Sequence, residues 1–315
     1  MAIDLLDRKL LFVTGKGGVG KTTIAAGLAL LAAQNGQRVL LCEGDAKGDV
    51  ARAFEATPLA FDQRELVPGL WAMAMDTEES LKEYLRLQLR LPLIARMGPL
   101  ARTFDFVANA APGVKEILVV GKLCWEVRSD AWDLVVVDAP ASGHIVAQLG
   151  APAAIQELVK VGAVRDQTGW MMDILGDSQQ TGVVVVATPE EMPVNETIEL
   201  ATRLRAETDV DLGAVVVNRV LPELFSRGEE EVFRRLQDPE LAAELAAAAE
   251  GPVQPVLDGA ELAVRLRRTR AEHLDRLRDG VTGTELLYLP ELFQRSQGVR
   301  ATRQIAAALG EELGY

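Results

Sequence analysis

The sequence has few cysteines and no long apolar run. Only Cys42 and Cys124 are present, far apart and outside any CxxC pattern. Neither a disulfide framework nor a paired-cysteine metal site is therefore indicated, and we expect two buried, reduced thiols. No stretch approaches the roughly 20 apolar residues that cross a bilayer. The acidic start lacks the pattern of a signal peptide, so we expect a cytoplasmic protein.

Basic residues are also in deficit. The chain has 33 Lys and Arg against 46 Asp and Glu, which gives a formal charge of −13. This charge disfavours a general nucleic-acid binder and docking on anionic lipid, both of which need a basic surface. With 315 residues, of which 49% are apolar, the chain is long enough for one large α/β domain or two small ones.

What the sequence does contain is a glycine-rich stretch, VTGKGGVGKTT, at residues 13–23. It lies between an apolar run and a small-residue helical run, as in the phosphate-binding loop GxxxxGK[ST]. The glycines let backbone N–H groups surround phosphate oxygens, and the helix N-terminus favours the same anion. Lys21 is placed to reach the β- and γ-phosphates of ATP, and Thr22 to ligate Mg²⁺. The predicted nucleotide-binding residues here are Gly15, Lys16, Gly17, Gly18, Val19, Gly20, Lys21, Thr22 and Thr23.

Two further apolar stretches end near carboxylates. Residues 132–138 read WDLVVVD, and a carboxylate at the position of Asp138 holds Mg²⁺ opposite Thr22, usually through a water. Residues 38–42 precede Asp45. Because ligands of open α/β sheets collect at the carboxyl ends of the strands, Asp45 is placed to face the γ-phosphate. Asp49 competes for that position, and capping of the next helix is the alternative role for Asp45.

The sequence GKGGVGKT at residues 15–22 resembles the deviant Walker A motif of the MinD, ParA, ArsA and nitrogenase iron-protein class. In that class the first lysine reaches across a dimer to the partner's nucleotide. The resemblance therefore implies that Lys16 acts in a two-site sandwich with ATP at its centre. A solvated loop lysine is the alternative.

Further stretches resemble the ArsA family of anion-transporting ATPases, which includes arsenite-pump and tail-anchored protein targeting ATPases. They are DAKGD at residues 45–49, DTEESLKEY at 76–84, PGVKE at 112–116, DAPASGH at 138–144 and PEEMPVNET at 189–197. The stretch at residues 45–49 lacks the family's proline and histidine. In the stretch at residues 138–144 the proline is in a slightly different register.

This resemblance assigns roles to four more positions. It implies that Asp45 positions or deprotonates the attacking water in switch I, and that Gly143 in switch II lends its N–H to the γ-phosphate. Asn218, at the end of an apolar stretch, would read the adenine ring, and Pro290 would begin the loop that covers it. A turn-forming asparagine is the alternative for Asn218.

Continuous Val and Leu strands alternating with helical stretches predict an α/β fold with a doubly wound, mostly parallel sheet, as in P-loop NTPases. We expect one ATPase domain over residues 1–315. A helical insertion is predicted at roughly 76–128 and 145–178, and a C-terminal helical region with the adenine loop at roughly 222–315. The apolar positions Leu85, Leu89, Leu93, Ile94 and Met97 have helical spacing, which indicates either core or a groove for an apolar client.

The predicted function is that of a short, single-half ArsA-like ATPase that depends on Mg²⁺. Lys21, Lys16 and Mg²⁺ would neutralise the phosphates and Asp45 would act on the water. ATP would open and close a homodimer, or a heterodimer with a related ATPase subunit, that acts on a client or a membrane partner. No nucleic-acid partner is expected.

The main alternative is a chaperone or targeting module for apolar segments, with ATP hydrolysis as a timer. An apolar groove between residues 81–97 and 145–172 would favour it. A MinD- or ParA-like positioning ATPase and a small-molecule kinase are less favoured. Two cysteines cannot form a three-thiolate arsenite site within one chain, and no CxxC is present for the zinc staple of the targeting factor.

Overall fold

The computed structural model describes residues 5–45, 47–89, 113–159, 161–223, 225–292 and 298–315. Eight strands in this part of the chain form one sheet in the order β3-β4-β2-β5-β1-β6-β7-β8. They are β1 (Leu10–Gly15), β2 (Val39–Glu43), β3 (Arg64–Val67), β4 (Leu70–Ala74), β5 (Leu134–Asp138), β6 (Thr181–Ala187), β7 (Leu212–Val220) and β8 (Glu285–Pro290). Neighbouring strands are parallel except β3, which runs antiparallel to β4 at one edge. The predicted doubly wound, mostly parallel sheet is confirmed.

Helices connect the strands and cover both faces of the sheet. They are α1 (Lys21–Gln34), α2 (Asp49–Ala53), α3 (Thr77–Leu89), α4 (Val114–Arg128), α5 (Ser142–Leu158), α6 (Ala163–Gly176), α7 (Glu191–Glu207), α8 (Arg227–Arg235), α9 (Pro239–Ala248), α10 (Gln254–Gly280) and α11 (Val299–Leu313). A 3₁₀ turn at Leu5–Asp7 precedes β1.

The central strands contain continuous apolar runs because each face of the sheet is covered by a hydrophobic core. Leu11 and Val13 of β1 point into the core formed with α1 and α11. Leu10 and Phe12, which alternate with them, point into the core formed with α4, α5, α6 and α7. Because successive side chains of a strand point to opposite faces, a sheet covered on both sides needs apolar residues at every position.

The helices of the predicted insertion are joined to the second of these cores. Val120 and Leu123 of α4 and Ile145 of α5 are fully buried against the strands. The predicted apolar positions Leu93, Ile94 and Met97 lie outside the described residues, as do the side chains of Leu85 and Leu89.

The C-terminal helices build a small core of their own, in which Phe233 and Leu257 are buried and Phe225 stacks on Phe233. The sheet then ends on β8 at its other edge, and α11 packs against α1. Within the described ranges, no helix is long and apolar enough to cross a membrane.

Candidate active site

The glycine-rich loop joins β1 to α1 at the centre of the sheet, as the sequence predicts. Gly15 has φ 145°, and a Cβ there would collide with the carbonyl oxygen of Val186 on the neighbouring strand β6. Gly20 has φ 99°, and its Cβ would lie 2.6 Å from Asn218 Nδ2. Both glycines are therefore required by close backbone approach and by the left-handed region of φ. Gly17 and Gly18 lie between them and are exposed.

The start of α1 leaves the loop ready for an anion. Gly20 precedes the helix, and no described side chain hydrogen-bonds to the N–H groups of its first turn. These free N–H groups and the helix dipole favour negative charge at this point. The Lys21 ammonium, half-buried in the loop, donates to the carbonyl oxygen of Lys16 at 3.3 Å. Burial lowers the pKa of Lys21, while the charges of Asp138 and Asp45 oppose that effect.

Thr22 and Asp138 meet across the loop. Thr22 Oγ1 donates to Asp138 Oδ2 at 2.6 Å, and Asp138 Oδ1 is buried without a hydrogen-bond partner in the described part of the chain. Burial raises the pKa of Asp138 to about 6, against the opposing effects of the Thr22 hydrogen bond and of Lys21. A buried carboxylate oxygen with no partner, next to a hydroxyl, fits a hard divalent cation such as Mg²⁺, which prefers oxygen ligands. Thr23, the next residue, lies half-buried in the same helical turn.

The carboxylates at and after the end of β2 make different contacts. Asp45 is exposed on the site side and its Oδ2 lies 3.0 Å from the ammonium of Lys47. The residue that caps α2 is Glu43, whose Oε1 accepts the backbone N–H of Asp49 at 2.7 Å. The side chain of Asp49 pairs with Arg52 on its own helix. Capping of α2 is thus performed by a residue that the sequence analysis did not single out.

Glu43 could have been noticed as a carboxylate that directly ends an apolar strand. It is 2% exposed and lies in register with Asp138 on the adjacent strand β5. Its negative charge contributes to the raised pKa of Asp138. The two buried carboxylates concentrate negative charge where a divalent cation would be attracted.

Switch II follows β5 and is tied to the loop strand. Thr14 Oγ1 donates to the carbonyl oxygen of Pro140 at 2.8 Å. Gly143 lies in the first turn of α5, exposed, with open space where a side chain would project. Its contact with the γ-phosphate stays a prediction.

Asn218 supports the glycine-rich loop from the end of β7. Its Nδ2 donates to the carbonyl oxygen of Val19 at 2.8 Å, and its Oδ1 accepts the N–H of Arg219. The amide is 6% exposed. The role of Asn218 in reading adenine stays a prediction, as does that of Pro290. The latter is the exposed last residue of β8, on the strand beside β7, and residues 293–297 of the predicted adenine loop lie outside the described ranges.

The side chain of Lys16 forms an ion pair within its own chain. Its Nζ lies 2.6 Å from Glu196 Oε1 on α7, and the second oxygen of Glu196 accepts a weaker hydrogen bond from Ser142 Oγ at 3.4 Å. The sequence analysis included Glu196 in a family-like stretch but assigned it no role.

Comparison with known proteins agrees with this geometry. The model of the anion-transporting ATPase family (ArsA_ATPase) matches residues 8–172 and 156–240. A stretch of 225 residues is 34% identical to the ATPase BagA of Mycobacterium tuberculosis, covering 68% of this chain and 66% of BagA. A putative arsenical pump-driving ATPase of Halobacterium salinarum is 26% identical over 307 residues, which are 90% of this chain and 46% of that protein.

The ATPase GET3 of Chaetomium globosum is 28% identical over 208 residues, covering 65% of this chain and 59% of GET3. The chain thus matches between 46% and 66% of the length of these three relatives. The family model extends from β1 through the glycine-rich loop, both switch regions and β7, where the structure places the residues described above. This chain belongs to the ArsA family of anion-transporting ATPases.

Proposed function

We propose that this chain hydrolyses ATP with Mg²⁺ at the loop between β1 and α1, and uses hydrolysis to open and close a dimer. The observation that carries the proposal is that, among the described residues, Asp138 Oδ1 has no hydrogen-bond partner beside Thr22 and no side chain bonds to the first N–H groups of α1. Together they provide a cation site and an anion site side by side, which a nucleotide–metal complex requires.

Within this proposal each residue has one task. Lys21 and the loop N–H groups bind the β- and γ-phosphates, while Thr22 and Asp138 hold Mg²⁺, which supplies charge neutralisation. Asp45 leaves Lys47 and accepts a hydrogen bond from the attacking water. Gly143 donates its N–H to the γ-phosphate and moves away once the phosphate is lost, which couples hydrolysis to switch II.

The test is ATP turnover by phosphate release, with Mg²⁺ present and after chelation. We expect turnover only with Mg²⁺, and its loss in Thr22→Ala. The matched control is Thr202→Ala, which removes an exposed hydroxyl that bonds only within α7. Turnover that persists in Thr22→Ala, or without divalent cation, would contradict the proposed site.

A second function, binding of an apolar client segment, is favoured by a cavity of about 250 Å³ between α3, α4, α5 and α6. Its lining is mainly apolar and includes Leu81, Ile117, Leu118, Trp125, Trp170 and Met171. Both segments of the predicted groove, 81–97 and 145–172, contribute residues to this lining together with α4, and residues 90–97 lie outside the described ranges. Lys122 and Glu83 of this lining are 2.5 Å apart and Lys122 lies 2.6 Å from Glu126, so the charge of Lys122 is paired.

The neutral dye N-phenyl-1-naphthylamine tests this second function, since its fluorescence rises in apolar surroundings. We expect binding by the wild type and weak binding by Ile117→Trp, which fills the cavity. Leu262→Trp, at an exposed position on α10, is the control. Equal binding by both variants would place the dye elsewhere and remove support for this cavity as the client site.

A further inference from the structure

The family-like stretch at residues 189–197 contains a side chain that contacts both the glycine-rich loop and switch II. Strand β6 pairs in parallel with β1, so the start of α7, which follows β6, lies beside the loop. Glu196 is therefore brought to Lys16, 180 residues away in sequence, and to Ser142, the first residue of α5. One carboxylate thus contacts two segments, the glycine-rich loop and switch II, that the proposed mechanism uses separately.

The Lys16–Glu196 contact is a short ion pair in a partly buried place. The N–O distance is 2.6 Å, and the side chains of Lys16 and Glu196 are 28% and 33% exposed. A charge-assisted hydrogen bond of this length, shielded from much of the solvent, is stronger than an exposed surface pair. Lys16 is held in one position within its own chain.

We propose that Glu196 is a positioning residue that holds Lys16 against its own chain until ATP is bound, so that association of two chains depends on the release of Lys16. The inference rests on the proposed dimeric function, in which Lys16 reaches the nucleotide of the partner. The triphosphate of ATP carries more negative charge than one carboxylate and competes for the ammonium. ADP lacks the γ-phosphate and competes less.

The hydrogen bond from Ser142 connects this contact to switch II. Ser142 follows Asp138 by four residues and begins α5, and it donates to the oxygen of Glu196 that Lys16 does not use. A movement of residues 139–142 on nucleotide binding would withdraw this donor. The same movement that exposes the N–H of Gly143 to phosphate would then loosen the carboxylate that retains Lys16.

Chemical labelling of lysine tests the contact without any need for a dimer. The full chain, free of nucleotide, is acetylated for short times and the modification of each lysine is followed by peptide mass spectrometry. Glu196→Gln should acetylate several-fold faster at Lys16, because its ammonium loses the group that covers it. Glu199→Gln, at an exposed position on the same helix, should leave Lys16 unchanged, and the exposed Lys115 serves as the internal reference. An unchanged Lys16 rate in Glu196→Gln would overturn the proposal.

Light scattering tests the consequence, with Asp45→Asn as the background to slow turnover. Glu196→Gln should lower the ATP concentration at half-maximal association several-fold, with Mg²⁺ present, and should leave the response to ADP unchanged. A further Lys16→Ala substitution should abolish this effect, which a merely structural role of Glu196 would not predict.

The outcomes separate the two proposals. Association at the same ATP concentration with and without Glu196→Gln would overturn the role of Glu196 and leave the dimeric function standing. No ATP-dependent association in either protein, also with a related ATPase subunit added, would overturn the dimeric function and with it the role of Glu196 in association. The labelling rates still decide whether Glu196 holds Lys16.

Discussion

Replacing Asp138 by asparagine should stabilise the nucleotide-free chain while removing its binding of Mg²⁺. The carboxyl is 8% exposed, and its pKa is raised from 3.8 to about 6. At about 1.36 kcal/mol per pKa unit, this difference corresponds to a penalty of roughly 3 kcal/mol for keeping the folded chain ionised at neutral pH. The introduced amide carries no charge and still accepts the hydrogen bond of Thr22. We therefore expect a gain in unfolding free energy of about 2 to 3 kcal/mol at pH 8.

The direction in which the stability of the wild type changes with pH follows from proton binding to Asp138. Between pH 3.8 and about 6 the unfolded chain has lost the Asp138 proton while the folded chain keeps it, so the wild type loses stability as the pH rises. Above about pH 6 both states are ionised and the penalty is constant. Below the unfolded pKa both are protonated and the penalty is absent.

The assay is urea denaturation of wild type and Asp138→Asn, without nucleotide or Mg²⁺, at pH 4 and pH 8. The advantage of the variant should be about 0.6 kcal/mol at the lower pH, which lies just above the unfolded pKa of 3.8, and full at the higher one. Other titrating groups are the same in both proteins and cancel in the difference. A variant less stable than the wild type at pH 8, or a stability difference independent of pH, would show that ionised Asp138 does not destabilise the folded chain.

Three further substitutions test the site. Lys21→Ala should weaken ATP binding by at least tenfold in calorimetry, because the ammonium that reaches the β- and γ-phosphates is lost; unchanged affinity would remove Lys21 from the site. Asp45→Asn should leave ATP affinity intact and lower turnover by orders of magnitude, and unchanged turnover would transfer the role to another group, with Asp49 the first to examine. Gly20→Ala should disrupt the loop, because the new Cβ would lie 2.6 Å from Asn218 Nδ2. The φ of 99° at this position also strains an alanine, so the substitution should weaken nucleotide binding in calorimetry, and unchanged affinity would contradict the requirement for glycine here.

The sheet and the loop could be predicted because their signals are local. Runs of four Val or Leu residues mark strands buried on both faces, as in β5 and β6. GxxxxGKT fixes Lys21 and Thr22 by spacing alone. The strand β3 was missed because it is short and only partly buried, and it runs antiparallel at the edge, where an apolar pattern is not required.

The roles of Glu43 and Glu196 could not be predicted in the same way. Each depends on which strands are neighbours: β2 beside β5 places Glu43 next to Asp138, and β6 beside β1 brings Glu196 to Lys16. Strand order is decided by packing of the whole chain, and a carboxylate after a strand looks the same in sequence whether it caps a helix, binds a lysine or faces solvent.

ATP-dependent dimerisation is decided by the solution mass of the Asp45→Asn chain, measured by light scattering without nucleotide, with ADP–Mg²⁺ and with ATP–Mg²⁺. We expect the mass to double only with ATP–Mg²⁺, or, if the partner is a related subunit, only when that subunit is added as well. A mass that stays the same in all three conditions and with that subunit present, while bound ATP is detected, would contradict ATP-dependent dimerisation.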